Sequence, residues 1–401
     1  MSIRSSKGKK LEQLKIPLTN IQLATDDFSE TYKIAYMDGF TLYRAELNHF
    51  DKENPSSVEG NNKGGHPKRH NTVLIKRYPD GHDGYGKKEY FTELETLTSV
   101  MHRNIVTLLG FCFEGSEMIL VIENFSNGYL HEYLGNVDKM RVLTWEKRLK
   151  ICIDVAQALN YLHYELEDQK IIINRDICMY NIGLDENLGA KIVHFWFSVF
   201  MPRNQEDEAL YLMWIGRPFN IDPEYKMTRK LKRESDIYSF GVVLFEILCG
   251  RPSYDSIYLK ESKEGLPLMA RRNFCTRTLE DMIDPIIKEE TGENTFLLNR
   301  GPNKDSLHTF IELAYQCIAE TQDQRPTIKV VVKELEKALL FQKNNKDNPR
   351  ISLEVINQAT QNFHDDNCIG GGGFGRVFKG TFQDGDGFKT IVAKRLDKRL
   401  L

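Results

Sequence analysis

One stretch of this chain occurs twice. Leu18–Ile34 reads LTNIQLATDDFSETYKI and Leu353–Ile369 reads LEVINQATQNFHDDNCI, a constant offset of 335 residues. Ala24, Thr25, Phe28 and Ile34 match Ala359, Thr360, Phe363 and Ile369. Both copies run on into a strand-turn-strand pattern: Gly370–Gly380 spells GGGGFGRVFKG, and Ala35–Ala45 spells AYMDGFTLYRA. An offset above 300 residues is no solenoid period. It implies a complete domain followed by the opening of another of the same kind. The expected division is a lead at 1–17, a first domain at 18–341, a linker at 342–350 and a second domain starting at 351. The stretch 351–401 is too short to bury a core of its own. A short native tail is the alternative reading of it.

Composition narrows the function classes. The 401 residues are 41% hydrophobic and 28% charged, ordinary for a globular protein. A net charge of −3 gives no footprint for nucleic acid or an anionic membrane. Seven scattered cysteines, never spaced C-x-x-C, fit reduced thiols rather than disulfides or zinc. The most apolar run, Phe240–Cys249, is about half the length needed to span a bilayer and contains Glu246. Met1–Lys10 leads into no apolar stretch, and Ser2 excludes N-myristoylation. The expectation is a cytoplasmic protein without direct membrane insertion, reaching the plasma membrane only through partners.

Along the first copy, Asn48–Asn71 is rich in Asn, Gly, Lys, His and Ser, which predicts a disordered loop between two strands. Thr72–Tyr78 reads as a strand carrying Lys76. Phe91, Leu94 and Leu97 give helical spacing to Lys87–Met101. Leu149, Cys152, Ala156 and Leu159 mark a helix ending near His163. Ile237, Phe240, Leu244, Ile247 and Leu248 mark a buried one closed by Gly250 and Pro252. Pro326 is expected in the first turn of a last helix containing Ile328, Val331, Val332 and Leu335. Strands come first and helices after, so the fold class is α+β with two lobes, N-lobe about 18–124 and C-lobe about 125–341.

Residues 172–185 read IINRDICMYNIGLD, and His194-Phe195-Trp196 stands nine residues on. The first resembles the protein-kinase catalytic loop H-R-D-x-K-x-x-N; the second stands where a kinase has D-F-G. His102-Arg103-Asn104-Ile105-Val106, Asn127–Leu130, Asp222-Pro223-Glu224-Tyr225, Ser235–Gly241 and Asp323-Gln324-Arg325-Pro326 follow in matching order. Residues 18–341 thus resemble a plant receptor-like Ser/Thr kinase, and 351–401 the start of another.

That resemblance implies ATP and Mg²⁺ as cofactors and roles for particular residues. Lys76 matches the strand lysine that meets the ATP phosphates, and Glu93 its helix partner. The alternative is an ordinary strand lysine and a surface glutamate. Asp176 stands at the catalytic base and Asn181 at a metal-binding amide; the alternative is that they only hold the loop's hydrogen bonds. Gly370, Gly372, Gly375 and Lys394 form an intact nucleotide-loop signature in the second copy.

The first copy departs from the pattern at four places. Ala35, Met37 and Phe40 align with the three glycines, and Met37 and Phe40 would put bulk where the triphosphate lies. Cys178 replaces the lysine that steadies the γ-phosphate, and Asn174 the histidine that organises the loop. His194 replaces the Mg²⁺ carboxylate, a poor exchange for a hard ion, so no metal ligand set is assigned beyond Asn181. Between Val199 and Glu224 the sole hydroxyl is that of Tyr211, so a Ser/Thr phosphorylation switch is missing. Glu206-Asp207-Glu208 could pair with Arg175 instead, or form a solvated turn. Glu224 and Arg325 resemble a scaffold ion pair, and Asp236 a buried anchor of the catalytic loop. The reading is a pseudokinase that scaffolds or allosterically regulates other kinases or receptor complexes. The alternative is an active ATP-dependent Ser/Thr kinase. A simple nucleotide-binding switch using the second copy's loop is a third class.

Overall fold

The computed structural model describes residues 11–37, 39–50, 68–79, 86–167, 170–205, 209–260, 265–288, 302–347, 353–372, 375–384 and 387–396. The N-terminal part is a five-stranded antiparallel sheet, β1 (Lys33–Met37), β2 (Phe40–Phe50), β3 (Lys68–Tyr78), β4 (Leu108–Glu114) and β5 (Glu117–Glu123), in the order β1-β2-β3-β5-β4. Val73-Leu74-Ile75 is apolar at every position because both faces are covered. Leu74 joins Leu42, Leu120 and Ile122 in the main core, under helix α2 (Lys87–Ser99). Val73 and Ile75 join Tyr43, Ile119 and Val121 in a second cluster, capped by Ile21 of α1 (Leu18–Thr25) and by Phe28.

Strands β2 and β3 pair as far as Phe50 and Lys68, so the ends of the span expected as a loop at 48–71 are strand; 51–67 lie outside the described residues. Below the sheet, α3 (Trp145–Asn160) runs into a π-helical turn at Tyr161–Glu165, the predicted end near His163. Short strands β6 (Lys170–Ile173), β7 (Ile182–Leu184), β8 (Ala190–Ile192) and β9 (Val199–Pro202) follow, with β6 paired to β9 and β7 to β8. The pair β10 (Leu210–Tyr211) and β11 (Lys230–Leu231) leads to α4 (Arg233–Cys249), buried from Ser235 to Cys249. Gly250 closes α4 at φ 66°, the left-handed geometry that favours glycine.

Arg148, fully buried on α3, ties three elements together. It donates to Leu143 O and Ile247 O at 2.8 Å and pairs with Asp284 at 2.5 Å. Helices α5 (Lys304–Cys317) and α6 (Ile328–Asp347) complete the lobe. Two boundaries differ from expectation. Thr327 O accepts the first helical amides, from Val330 and Val331, so Pro326 precedes α6 instead of sitting in its first turn. Helix α6 also runs through Asp347, across most of the stretch expected as a linker at 342–350, where the Gln342 side chain accepts from Asn303 N at 2.7 Å.

The second copy has α7 (Leu353–Ala359) and a three-stranded sheet, β12 (Cys368–Gly372), β13 (Gly375–Asp384) and β14 (Gly387–Leu396). Its likeness to the first copy reaches individual dihedral angles. Asp26, Asp27 and Phe28 have φ of 47°, 51° and 60°, and Gln361, Asn362 and Phe363 have 51°, 56° and 58°. In each copy a threonine hydroxyl, of Thr25 or Thr360, accepts the amide of the phenylalanine at 3.1 Å. Molecule-wide the class is the α+β fold that the order of elements implied.

Candidate active site

Strand alternation puts Lys76 on the same face of β3 as Leu74 and Tyr78, pointing beneath α2. Its Nζ lies 2.5 Å from Glu93 Oε1, 2.9 Å from His194 Nδ1 and 4.7 Å from the Phe40 ring centroid. Lys76, Glu93 and His194 are 0% exposed and Phe40 is 1%. Tyr78 donates its hydroxyl to the other Glu93 oxygen. An ammonium can only donate, so Nδ1 accepts and the imidazole is neutral with its hydrogen on Nε2. Burial, reinforced by the Lys76 charge, holds His194 well below its ordinary range. Burial also lowers Lys76, with Glu93 opposing. Nε2 has no hydrogen-bond partner among the described residues. The rings of Phe40, Trp196 and Tyr129 surround it, at centroid separations of 5.3, 5.5 and 6.4 Å.

The two hairpins can be compared by register. Lys33↔Tyr43, Ala35↔Leu42 and Met37↔Phe40 in β1–β2 correspond to Cys368↔Phe378, Gly370↔Val377 and Gly372↔Gly375 in β12–β13, each with a bulge after the first pair. The equivalences Ala35/Gly370, Met37/Gly372 and Phe40/Gly375 therefore hold in space. Lys76 lies opposite Leu42 as Lys394 lies opposite Val377. Of the three glycines, only Gly375 is conformationally required: its φ is 134°, and a Cβ there would strike Arg395 O. A Cβ on Gly370 or Gly372 would meet open space. Phe40 is absent from the positive-φ positions; that geometry sits on Gly39, at φ 106°. The shifted turn sends the Phe40 ring inward, while Met37 packs half-buried against the core.

Asp236 of α4 anchors the loop between β6 and β7. It accepts the backbone amides of Asn174 and Arg175 at 2.9 Å, and lies 3.0 Å from His163 Nε2. Arg175 sits at φ 71°. Asn174, read from the sequence only as a lost histidine, is an organiser in its own right. Its Nδ2 donates to His194 O at 2.8 Å and its Oδ1 accepts from Asp176 N at 3.1 Å. Asp176 Oδ2 accepts from Asn181 Nδ2 at 2.8 Å and Trp196 Nε1 at 3.2 Å; Oδ1 has no partner among the described residues. Burial pushes the Asp176 carboxyl up to about 6, opposed by these donors and by the Arg217 charge.

Two participants were not singled out from the sequence. Trp196 was quoted in the degenerate D-F-G triplet; its edge meets Phe40 at 5.3 Å, so Phe40 and Trp196 form an aromatic wall between Lys76 and Asp176. Arg217 stacks 4.0 Å over Tyr180 and brings positive charge beside Asp176 and Cys178.

The scaffold pair needs a correction. Arg325 pairs with Asp222 at 2.6 Å, both side chains 0% exposed, and not with Glu224. Glu224 instead accepts Gln322 N at 2.7 Å. Asp222 points inward because it caps the short helix at Pro223–Thr228, its Oδ1 accepting Glu224 N at 3.0 Å. Burial raises Asp222, but Arg325, Gln322 and Ser235 more than offset that and hold it below the usual carboxylate range. Arg175 donates to Phe197 O, Met213 O and the Tyr225 hydroxyl; Glu206-Asp207-Glu208 lie outside the described residues.

Among the described residues no group of three or more His, Cys, Asp or Glu is placed to hold a metal, and no helix is long and apolar enough to cross a membrane. The family model for protein tyrosine and serine/threonine kinases matches residues 56–335. The chain is 35% identical over 350 residues to the receptor-like protein kinase ANXUR2 of Arabidopsis thaliana, covering 85% of this chain and 36% of that protein. It is 33% identical over 330 residues to the receptor-like protein kinase HERK 1 of the same plant, covering 82% and 35%. The chain thus spans about a third of the length of these relatives. On the strength of the matched span, the two-lobed fold and the order of its motifs, the chain belongs to the protein tyrosine and serine/threonine kinase family, in its plant receptor-like branch.

Proposed function

We propose that residues 18–341 act as a pseudokinase: a protein-binding scaffold or allosteric partner in phosphorylation signalling. The observation that carries this reading is the state of Lys76. Its ammonium already has Glu93 and His194 as partners, with the Phe40 ring over it and no exposed surface. In the family that lysine serves the nucleotide phosphates. The residues present do not fit a magnesium–nucleotide complex. A neutral imidazole stands where a hard ion needs oxygen, and the Phe40 ring lies over Lys76 from the register position that Gly375 holds in the second copy. The scaffold contacts of Asp236 and Arg325 are fully made, as a domain retained for its shape requires. Partners are other kinases or receptor complexes, and the place of action is the cytoplasm, against the plasma membrane through those partners.

The rival, an active ATP-dependent Ser/Thr kinase, draws on the formed Lys76–Glu93 pair and on Asp176 with Asn181 beside it. Thermal unfolding with increasing Mg²⁺·ATP separates the two readings. A specific ligand at a hundredfold its Kd stabilises by about 2.7 kcal/mol. The measurement uses the full chain carrying Lys394→Ala, so that the second copy's loop contributes nothing. No shift is expected. A saturable rise, with phosphate transfer that Asp176→Asn abolishes, would return the domain to the enzymes.

A further inference from the structure

Asp222 and Asp284, buried in the helical lobe, each meet an arginine directly, Arg325 at 2.6 Å and Arg148 at 2.5 Å. Asp176 in the loop between β6 and β7 and Glu246 on α4 are as deeply buried, at 5% and 1% exposed. Each keeps one oxygen, Asp176 Oδ1 and Glu246 Oε2, without a hydrogen-bond partner among the described residues. A buried carboxylate without a counter-charge is costly. In the motif that the loop resembles, a lysine stands two residues after the aspartate; here that place belongs to Cys178, whose thiol burial pushes up and keeps neutral. A cation comes to the same place from another segment. The backbone of that segment is fixed on both sides of Arg217. Met213 O accepts from Arg175 Nη2 and from the Tyr225 hydroxyl at 2.8 Å, and Asn220 O accepts from Ser239 Oγ at 2.7 Å. Between these anchors Gly216, at φ 114°, lies against the loop: a Cβ there would stand 3.1 Å from Arg175 O and 3.4 Å from Asp176 Oδ1. Arg217 follows at once, its guanidinium 4.0 Å over the Tyr180 ring, and its charge acts on Asp176, Cys178 and Glu246 alike.

We propose that Arg217 is the catalytic loop's replacement cation, a positioning residue that gives Asp176 the counter-charge Cys178 no longer supplies and shares it with Glu246. The exchange moves the charge from the loop to residues 212–222. Asp176 then has its counter-charge only while that segment is seated on the loop, so a change in the segment reaches Asp176 without passing through the nucleotide cleft. An arginine suits the new post. Its planar head lies flat on Tyr180 while its delocalised charge faces acids from two elements at once. The inference rests on the loop and the segment alone, and stands or falls independently of whether the cleft takes nucleotide.

The test is a double-mutant cycle on the full chain, read by urea unfolding at neutral pH and low salt. Arg217→Met keeps an apolar stem against Tyr180 and removes the charge; it should lower the folding equilibrium constant about tenfold. Cys178→Lys should destabilise the parent chain, where it sets a second cation beside Arg217. In the Arg217→Met chain the same change should stabilise, because it returns the charge to the loop. That reversal of sign is what a relocated charge predicts and a packing role does not. Arg217→Lys keeps the proposal testable should Cys178→Lys fail to fold: it retains the charge, and most of the parent's stability should remain. Glu246→Gln should soften the loss caused by Arg217→Met. A Cys178→Lys effect of the same sign and size in both backgrounds overturns the proposal. So do equal losses in Arg217→Lys and Arg217→Met, since the stack on Tyr180 would then account for both, and so does an Arg217→Met chain as stable as the parent.

Discussion

The hairpins at 33–50 and 368–384 share register and bulge, yet their glycine turns do opposite things. In the second copy Gly375 takes a φ open to glycine, and the strand lysine is exposed. In the first, the turn has moved to Gly39 and the residue at that register sends an aromatic ring onto Lys76. Among the described residues the positive φ falls on Gly39 in the first copy and on Gly375 in the second, so a side chain is accommodated at 40 where one would clash at 375. The pocket's contents then follow: with Phe40 in, Trp196 packs on it and His194 takes the lysine's second hydrogen bond.

The largest expected effect tests that contrast on the two lysines. Lys76→Met leaves Glu93 buried without its counter-charge, which costs on the order of 3–5 kcal/mol. Lys394→Met should leave the melting temperature unchanged. Equal effects in urea unfolding would mean that the two strands do not occupy different environments. Next comes Phe40→Gly, which is the second copy's residue at that register, combined with His194→Asp, which is the kinase D-F-G residue at its place. Removing the ring should cost about 3–5 kcal/mol. Magnesium–nucleotide should then restore part of it, measured as a ligand-dependent rise in melting temperature that the parent chain lacks. A double variant that folds yet ignores nucleotide would show that the closure depends on more than these two side chains.

The smallest effect concerns pH, where two buried groups act in opposite senses. His194 has its folded pKa depressed below the unfolded value of about 6.5. The unfolded chain therefore binds the proton first, and this contribution to stability is complete above about pH 6.5 and lost as pH falls. Asp176 is raised to about 6 from an unfolded value near 3.9, so the folded chain binds its proton first. Its burial penalty is present above pH 6 and relieved as pH falls toward 4. Asp176→Asn should consequently stabilise by up to about 3 kcal/mol at pH 7.5 and by nothing near pH 4. A loss of stability at pH 7.5 would show that the carboxylate's bonds to Asn181 and Trp196 outweigh its burial.

Much of this architecture was legible in residue spacing. The buried run at 237–248, the helix over 87–99 and the repeat itself are local patterns, and the structure has them. The pairing of Lys76 with Glu93 was implied by the family resemblance, and Phe40 was expected from the aligned copies as bulk at a glycine's place; that its ring lies over the lysine was not. What the spacing concealed was partner choice across long separations. Arg325 has two acids within three residues of each other, Asp222 and Glu224; only the cap at the following short helix decides that Asp222 faces inward. Trp196 and Arg217 were hidden for the same reason: their roles arise where separate loops meet at Asp176, and no periodicity encodes that meeting. The end of α6 was misplaced because Gln342–Asp347 is polar, which reads as linker although it forms helix.

The shared register of the two hairpins also bears on how the chain finds its native pairing. Strands β3 and β14 pair in like register with the preceding strand of their own copies, so the given chain offers β5 two similar strands to meet. Only 40 residues separate Tyr78 from Met118, whereas 278 separate Met118 from Leu396. Loop-closure entropy alone favours the nearer edge by on the order of 2 kcal/mol, enough to bias the choice but not to forbid the other. On the ribosome the question does not arise, because β3 and β5 have met before residues 387–396 are made. Refolding from denaturant removes that order of events. A slow phase that vanishes when residues 351–401 are deleted would be the trace of molecules that paired the wrong copy first.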